Sequence, residues 1–220
     1  MTSRSSMVAA IFLALGMTGP AGAQQTAEFE LTVDITWSAA TAPYEFPPDG
    51  GHMSSLIGAT HNARYVLFRD GDTASSGLEL VAENGRAATL KAEFAEARRR
   101  GRLGTEINGP KLDKVPGQIS VRFEASEKHS RLSFVTMIAP SPDWFTGATD
   151  IALRVDGNWI NTTSITLWAW DSGTDHGMTY NAEDMDAQPQ QSIRLLASPH
   201  FLTGRGLVPM GTATVTRVGL

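Results

Sequence analysis

Three aspartates in turn-rich surroundings are the residues of this chain best suited to chemistry. Asp143 lies in APSPDWFTG (Ala139 to Gly147), and Asp171 and Asp175 lie in LWAWDSGTDHGMTY (Leu167 to Tyr180). Glycine and proline around them mark loops rather than helix interiors. A hard cation such as calcium takes about 6–8 oxygen ligands from a segment that can curl around it. Asp171-Ser172-Gly173-Thr174-Asp175 offers two carboxylates, two hydroxyls and a flexible glycine, and Asp143 completes the cluster where the two loops meet. The competing reading makes Asp171 and Asp175 turn residues that accept backbone N–H groups. The D-x-D-x-D-G spacing of an EF-hand is absent. Oxygen donors nearby and no cysteine anywhere favour calcium over zinc.

Other constellations are weaker. His176 follows Asp175, with His52 and His61 far upstream, and a zinc hydrolase would need such groups to converge around an open position. No H-E-x-x-H or G-x-S-x-G occurs. Trp144, Trp159, Trp168 and Trp170 gather around the acidic segments. Trp168 and Trp170, two apart on a strand, are expected on one face and in the core, and Trp144 is expected to brace its loop. Arg98, Arg99, Arg100 and Arg102 form a dense basic run that reads as a solvated helix end.

The chain has 220 residues and a net charge of −5 at pH 7. That balance argues against nucleic acid, whose binding relies on basic patches. Met7 to Met17 is a short apolar run and Ala21-Gly22-Ala23 suits a signal-peptidase site. Residues 1–23 are therefore expected to be a cleaved leader, and 24–220 one domain of a secreted or periplasmic protein. No apolar run approaches the ~20 residues of a membrane-spanning helix.

Period-two alternation marks strands at Phe29 to Trp37, Gln118 to Ala125, Arg131 to Ile138, Ile151 to Val155, Ser164 to Trp170 and Thr212 to Val218, with a further strand at Arg64 to Arg69. One helical stretch is expected between Leu78 and Gly101, where Leu90, Phe94 and Ala97 form an apolar stripe. Many short strands with turns between them predict an all-β chain: an antiparallel β-sandwich of about eight strands with one short peripheral helix.

Several separated motifs occur in order: HMSSLIGATHNARYVLF (His52 to Phe68), SFVTMIAPSPDW (Ser133 to Trp144), APSPDWFTG and WDSGTDHGMTY (Trp170 to Tyr180). Together they resemble the spondin domain, the N-terminal module of the F-spondin and mindin family, from about Phe29 to about Val218. The resemblance implies an antiparallel β-sandwich with calcium at one end, its ligands matching Asp143, Asp171 and Asp175. It also implies a non-enzymatic recognition module in the extracellular space, binding a surface or matrix component (glycan or protein) through loops at the metal end. The absence of cysteine departs from the animal members. Two alternatives stand beside this expectation: a metal-dependent hydrolase using Asp171, Asp175 and His176, and a purely structural envelope protein.

Overall fold

In the first strand, β1 (Thr26–Ile35), Phe29, Leu31, Val33 and Ile35 are buried and the residues between them face outward. This is the alternation a half-buried strand requires. The computed structural model describes residues 25–219, so the expected leader lies outside the described residues. After a proline-broken loop come β2 (His52–Met53) and β3 (Ile57–His61), then two helices, α1 (Ser76–Asn84) and α2 (Ala88–Arg99). Next are β4 (Leu103–Asn108), β5 (Gly117–Ser126), β6 (Arg131–Ala139) and β7 (Trp144–Ala152). A small hairpin, β8 (Arg154–Val155) with β9 (Asn158–Trp159), precedes β10 (Thr162–Asp171). Three short pieces follow: β11 (Arg194–Leu195), β12 (Leu202–Thr203) and β13 (Gly206–Leu207). The last long strand is β14 (Gly211–Arg217).

The main sheet runs β4-β3-β6-β7-β10-β14-β1-β5, with β2 on β6 and β11 on β10. Its pairings are antiparallel. The edge strands β4 and β5 return into contact, so the sheet curls into a sandwich around a core that includes Phe29, Leu31, Phe134, Ile138, Leu167 and Val215. The expected all-β antiparallel class is borne out.

A second core lies on the other face of β3, β6 and β7. There Leu78, Val81, Leu90 and Phe94 of the helices pack over Ile57, Val135 and Phe145. The single peripheral helix expected from sequence is therefore corrected to a pair that forms a layer of its own. Gly85 breaks it, adopting φ 65° as the left-handed C-cap of α1 while the Gly85 and Arg86 N–H groups bond back to Val81 and Leu80. At the other end, Ser75 Oγ accepts the Leu78 N–H at 3.2 Å. Glu93 of α2 then accepts from Ser75 Oγ and the Gly77 N–H, both at 2.8 Å, fastening the helices together.

Three strand assignments also change. Arg64 to Arg69 is a loop, because Asn62 turns the chain by accepting the Arg64 and Tyr65 N–H groups, and Leu67 and Phe68 then tuck into the helix-side core. Leu103–Asn108 is a strand that alternation missed, since only Leu103 and Ile107 are buried apolar residues there. Ile151 to Val155 is not one strand: Ile151 and Ala152 end β7, which begins at Trp144, and Arg154–Val155 is β8 of the small hairpin.

Gly147 lies where β7 passes between β6 and β10. A Cβ on it would sit 2.1 Å from the Phe134 carbonyl oxygen, a backbone atom with little room to move. Gly147→Ala should lower unfolding free energy by roughly 1–3 kcal/mol or more through overpacking. Gly204→Ala, whose Cβ meets nothing within 4 Å, should change it little, as urea denaturation of the two variants would show.

Candidate metal centre

Sheet register brings the acidic loops together. In the β7–β10 ladder Trp144 lies opposite Asp171, so Asp143, one residue before β7, abuts Ser172, one residue past the end of β10. The Ser172 N–H bonds the Asp143 carbonyl at 3.2 Å. On the β6 side, Ser141 Oγ accepts the Trp144 N–H at 3.1 Å and donates to the Ile138 carbonyl, holding the Pro140 to Asp143 turn. Gly173 takes φ 75°, where a Cβ would strike the Gln191 carbonyl at 2.5 Å, so the second loop can fold this tightly only with glycine there.

The structure thus brings Asp143, Asp171 and Asp175 into one buried cluster, exposed by 0%, 4% and 6%. Asp143 Oδ2 accepts from Ser172 Oγ (3.1 Å), the Thr174 N–H (2.8 Å) and the Asp175 N–H (3.2 Å). Asp171 Oδ1 accepts the Gly173 N–H at 2.8 Å, and its Oδ2 takes two guanidinium N–H groups of Arg194, at 3.1 and 2.7 Å. Asp175 accepts the Gly177 N–H at 2.5 Å and the Met185 N–H at 2.6 Å. Asp171 and Asp175 therefore serve as turn residues, and Asp143 is the acceptor that ties the second loop to the first. One carboxylate oxygen of the three, the fully buried Oδ1 of Asp143, has no partner among the described residues.

Sequence reasoning missed two contributors. Glu83, in the last turn of α1, has a buried Oε1 that is likewise unpartnered. It lines a cavity of about 160 Å³ with Asn84, Ser141, Asp175 and Asp184. Arg194 arrives through the β10–β11 pairing, where it lies opposite Asp171. Neither carries a local motif, because each reaches the cluster through tertiary packing alone.

Burial, and then the charge of Asp171, push the Asp143 carboxyl up to about 6. Burial is also the first cause that pushes Glu83 up to about 7, reinforced by Glu79, Asp143 and Asp184 and opposed by the Thr174 hydroxyl. Negative charge is in excess here, and Arg194 is the cation bonded to it. As the side chains stand, no three carboxylate, imidazole or thiol groups among the described residues converge in the manner of a metal shell. The donor set is nonetheless all oxygen, and the orphaned oxygens of Asp143 and Glu83 suit a hard cation in kind and charge.

The histidines do not join the cluster. His176 is exposed and its ring meets Gln191 at 3.2 Å, His52 is exposed, and His61 is a core residue bonded to Ser133 Oγ at 2.7 Å. Trp144 is buried beside the acidic loop, edge-on to Tyr180 with ring centroids 5.1 Å apart. Trp168 and Trp170 do share a face, but the outer one: Leu167 and Ala169 point into the sandwich core and Trp170 covers Phe68 on the helix side. Of the arginine run, Arg99 and Arg100 grip Glu96 at the helix end.

An antiparallel β-sandwich with a helix pair on one face and acidic loops at one end describes the class. The chain belongs to the Spondin_N family, whose model matches residues 27–201. It is 30% identical to human Spondin-2 over 187 residues, 84% of this chain and 56% of that protein. To Spondin-1 of Gallus gallus it is 34% identical over 181 residues, 79% of this chain and 22% of that protein. The chain thus spans about half the length of the first relative and about a fifth of the second.

Asp143 and Glu83 hold their protons to higher pH when folded than when unfolded, so without metal the folded state binds more protons between about pH 4 and 7. Their contribution to stability is full below that window and is lost as pH rises through it. For Asp143, which is 0% exposed, it is on the order of 3 kcal/mol. Asp143→Asn should remove it, so that in EDTA the variant loses less stability than wild type between pH 4 and 7. Urea denaturation at the two pH values measures the difference, and parallel losses would contradict it.

Proposed function

We propose that this chain is an exported, calcium-binding recognition module of the spondin type. It acts by binding, not by catalysis, on a cell-surface or matrix component, protein or glycan, presented to the loops at its acidic end. The observation that carries the reading is the fully buried Asp143 carboxylate with one oxygen free, packed among Asp171, Asp175 and Glu83. An uncompensated carboxylate at such a depth is costly, and a cation that binds there relieves the cost.

Asp143, Asp171 and Asp175 would hold the ion, with the Ser172 and Thr174 hydroxyls close by. The bound ion supplies positive charge that offsets these carboxylates and draws the loops tight. The chain's own part is to set the loops: the β7–β10 register fixes where they meet, and Gly173 lets the second one fold back on itself. Export is supported by the leader-like residues 1–23, and no helix among the described residues is long and apolar enough to cross a membrane. The hydrolase alternative gains nothing from geometry, because His176 faces Gln191 and not the aspartates.

Calorimetric titration of EDTA-stripped protein tests the reading. Calcium should bind with one-site stoichiometry and raise the melting temperature, stabilising by about 2.7 kcal/mol at a hundredfold excess over its dissociation constant. Asp143→Asn and Asp175→Ala should abolish both effects. Absence of heat and of any thermal shift in wild type would overturn the proposal.

A further inference from the structure

Asp171 already has a cation. Arg194 places Nε and Nη2 on the same oxygen, Oδ2, at 3.1 and 2.7 Å, and its Nη1 reaches Gln191 Oε1 at 3.2 Å. The pairing is built into the sheet, since β10 and β11 set Asp171 and Arg194 directly opposite each other. The partners differ in freedom. Only 6% of the Asp171 side chain is exposed, against 59% of Arg194. The carboxylate is fixed, whereas the guanidinium can swing away.

We infer that Arg194 is the resident counter-cation of the acidic loops, held on Asp171 in the metal-free protein and competing there with calcium. The inference rests on the calcium reading above and adds a regulating residue to that site. Both oxygens of Asp171 are committed, Oδ1 to the Gly173 N–H and Oδ2 to two guanidinium N–H groups. A calcium ligand must turn a carboxylate lone pair toward the ion, and a guanidinium bonded to the same group repels a dication. Arg194 also has somewhere to go, for it lines a cavity of about 370 Å³ with Trp144, Met178, Pro199 and His200. Calcium binding therefore costs the displacement of Arg194 from Asp171, and the ion pair tunes the affinity downward. In return it keeps the loops from carrying a bare carboxylate when calcium is scarce.

Two variants of the full chain, titrated with calcium after EDTA treatment and followed by melting, test this. Arg194→Gln should tighten calcium binding by about tenfold, within the usual range for coupled sites, while lowering the melting temperature in EDTA. Arg194→Lys, which keeps the charge but loses the paired N–H groups, should tighten it by only about two- to threefold. Binding that is unchanged or weaker in both variants would make Arg194 a structural brace and overturn the inference while leaving the calcium site standing. Calcium binding to neither wild type nor variant would remove the calcium reading and the inference with it.

Discussion

Because Trp144 lies opposite Asp171 in the β7–β10 ladder, two acidic loops far apart in the chain are forced to share one end of the sandwich. Ladder pairing fixes their bases to within a residue, since a slip of one would turn every side chain of β10 to the other face. Asp143 cannot then avoid the Ser172 to Asp175 loop, and its carboxylate becomes the acceptor around which that loop winds. Everything else at this end answers the question of how so much negative charge stays buried. N–H groups of the loop take part of it, Arg194 takes part, and elevated proton affinity at Asp143 and Glu83 lowers it further toward acid pH.

The helix layer belongs to the same problem. Its core against β3, β6 and β7 places the C-terminal turn of α1, and so Glu83, over the Asp143 loop. Gly85 ends α1 directly after that turn, which lets α2 reverse and return Glu93 to the start of α1. A helix that ran on through Gly85 would not return Glu93 to the start of α1. In a chain without disulfides, this second core and its cross-linked caps anchor the helices, so the position of Glu83 is set by apolar packing more than by its own charge.

Fold class was legible because the outer strands alternate cleanly: β1, β5 and β14 each bury one face and expose the other. The central strands were harder, since β3 and β6 are buried on both faces and lose the alternation that marks a strand. Arg64 to Arg69 misled for a related reason: its apolar residues are buried by the helices and not by pairing in a sheet. At the site, the three aspartates could be found from local spacing and from the resemblance of their surrounding motifs. Glu83 and Arg194 could not, for one comes from a helix sixty residues upstream of Asp143 and the other from a two-residue strand with no alternation to read.

Under the proposed calcium reading, turn residue and metal ligand are compatible roles for Asp171 and Asp175. A carboxylate that accepts two or three N–H groups is held in place but keeps its full negative charge, and hydrogen bonding alone does not neutralise a cluster of such groups. The turns therefore pre-orient the acids, and the charge that remains is what the proposed calcium would offset. With Asp143 Oδ1 bare and Asp171 already held by a removable guanidinium, the loop end is poised between an internal counter-charge and an external one. Under that proposal, which of the two it holds would set how tightly the loops close.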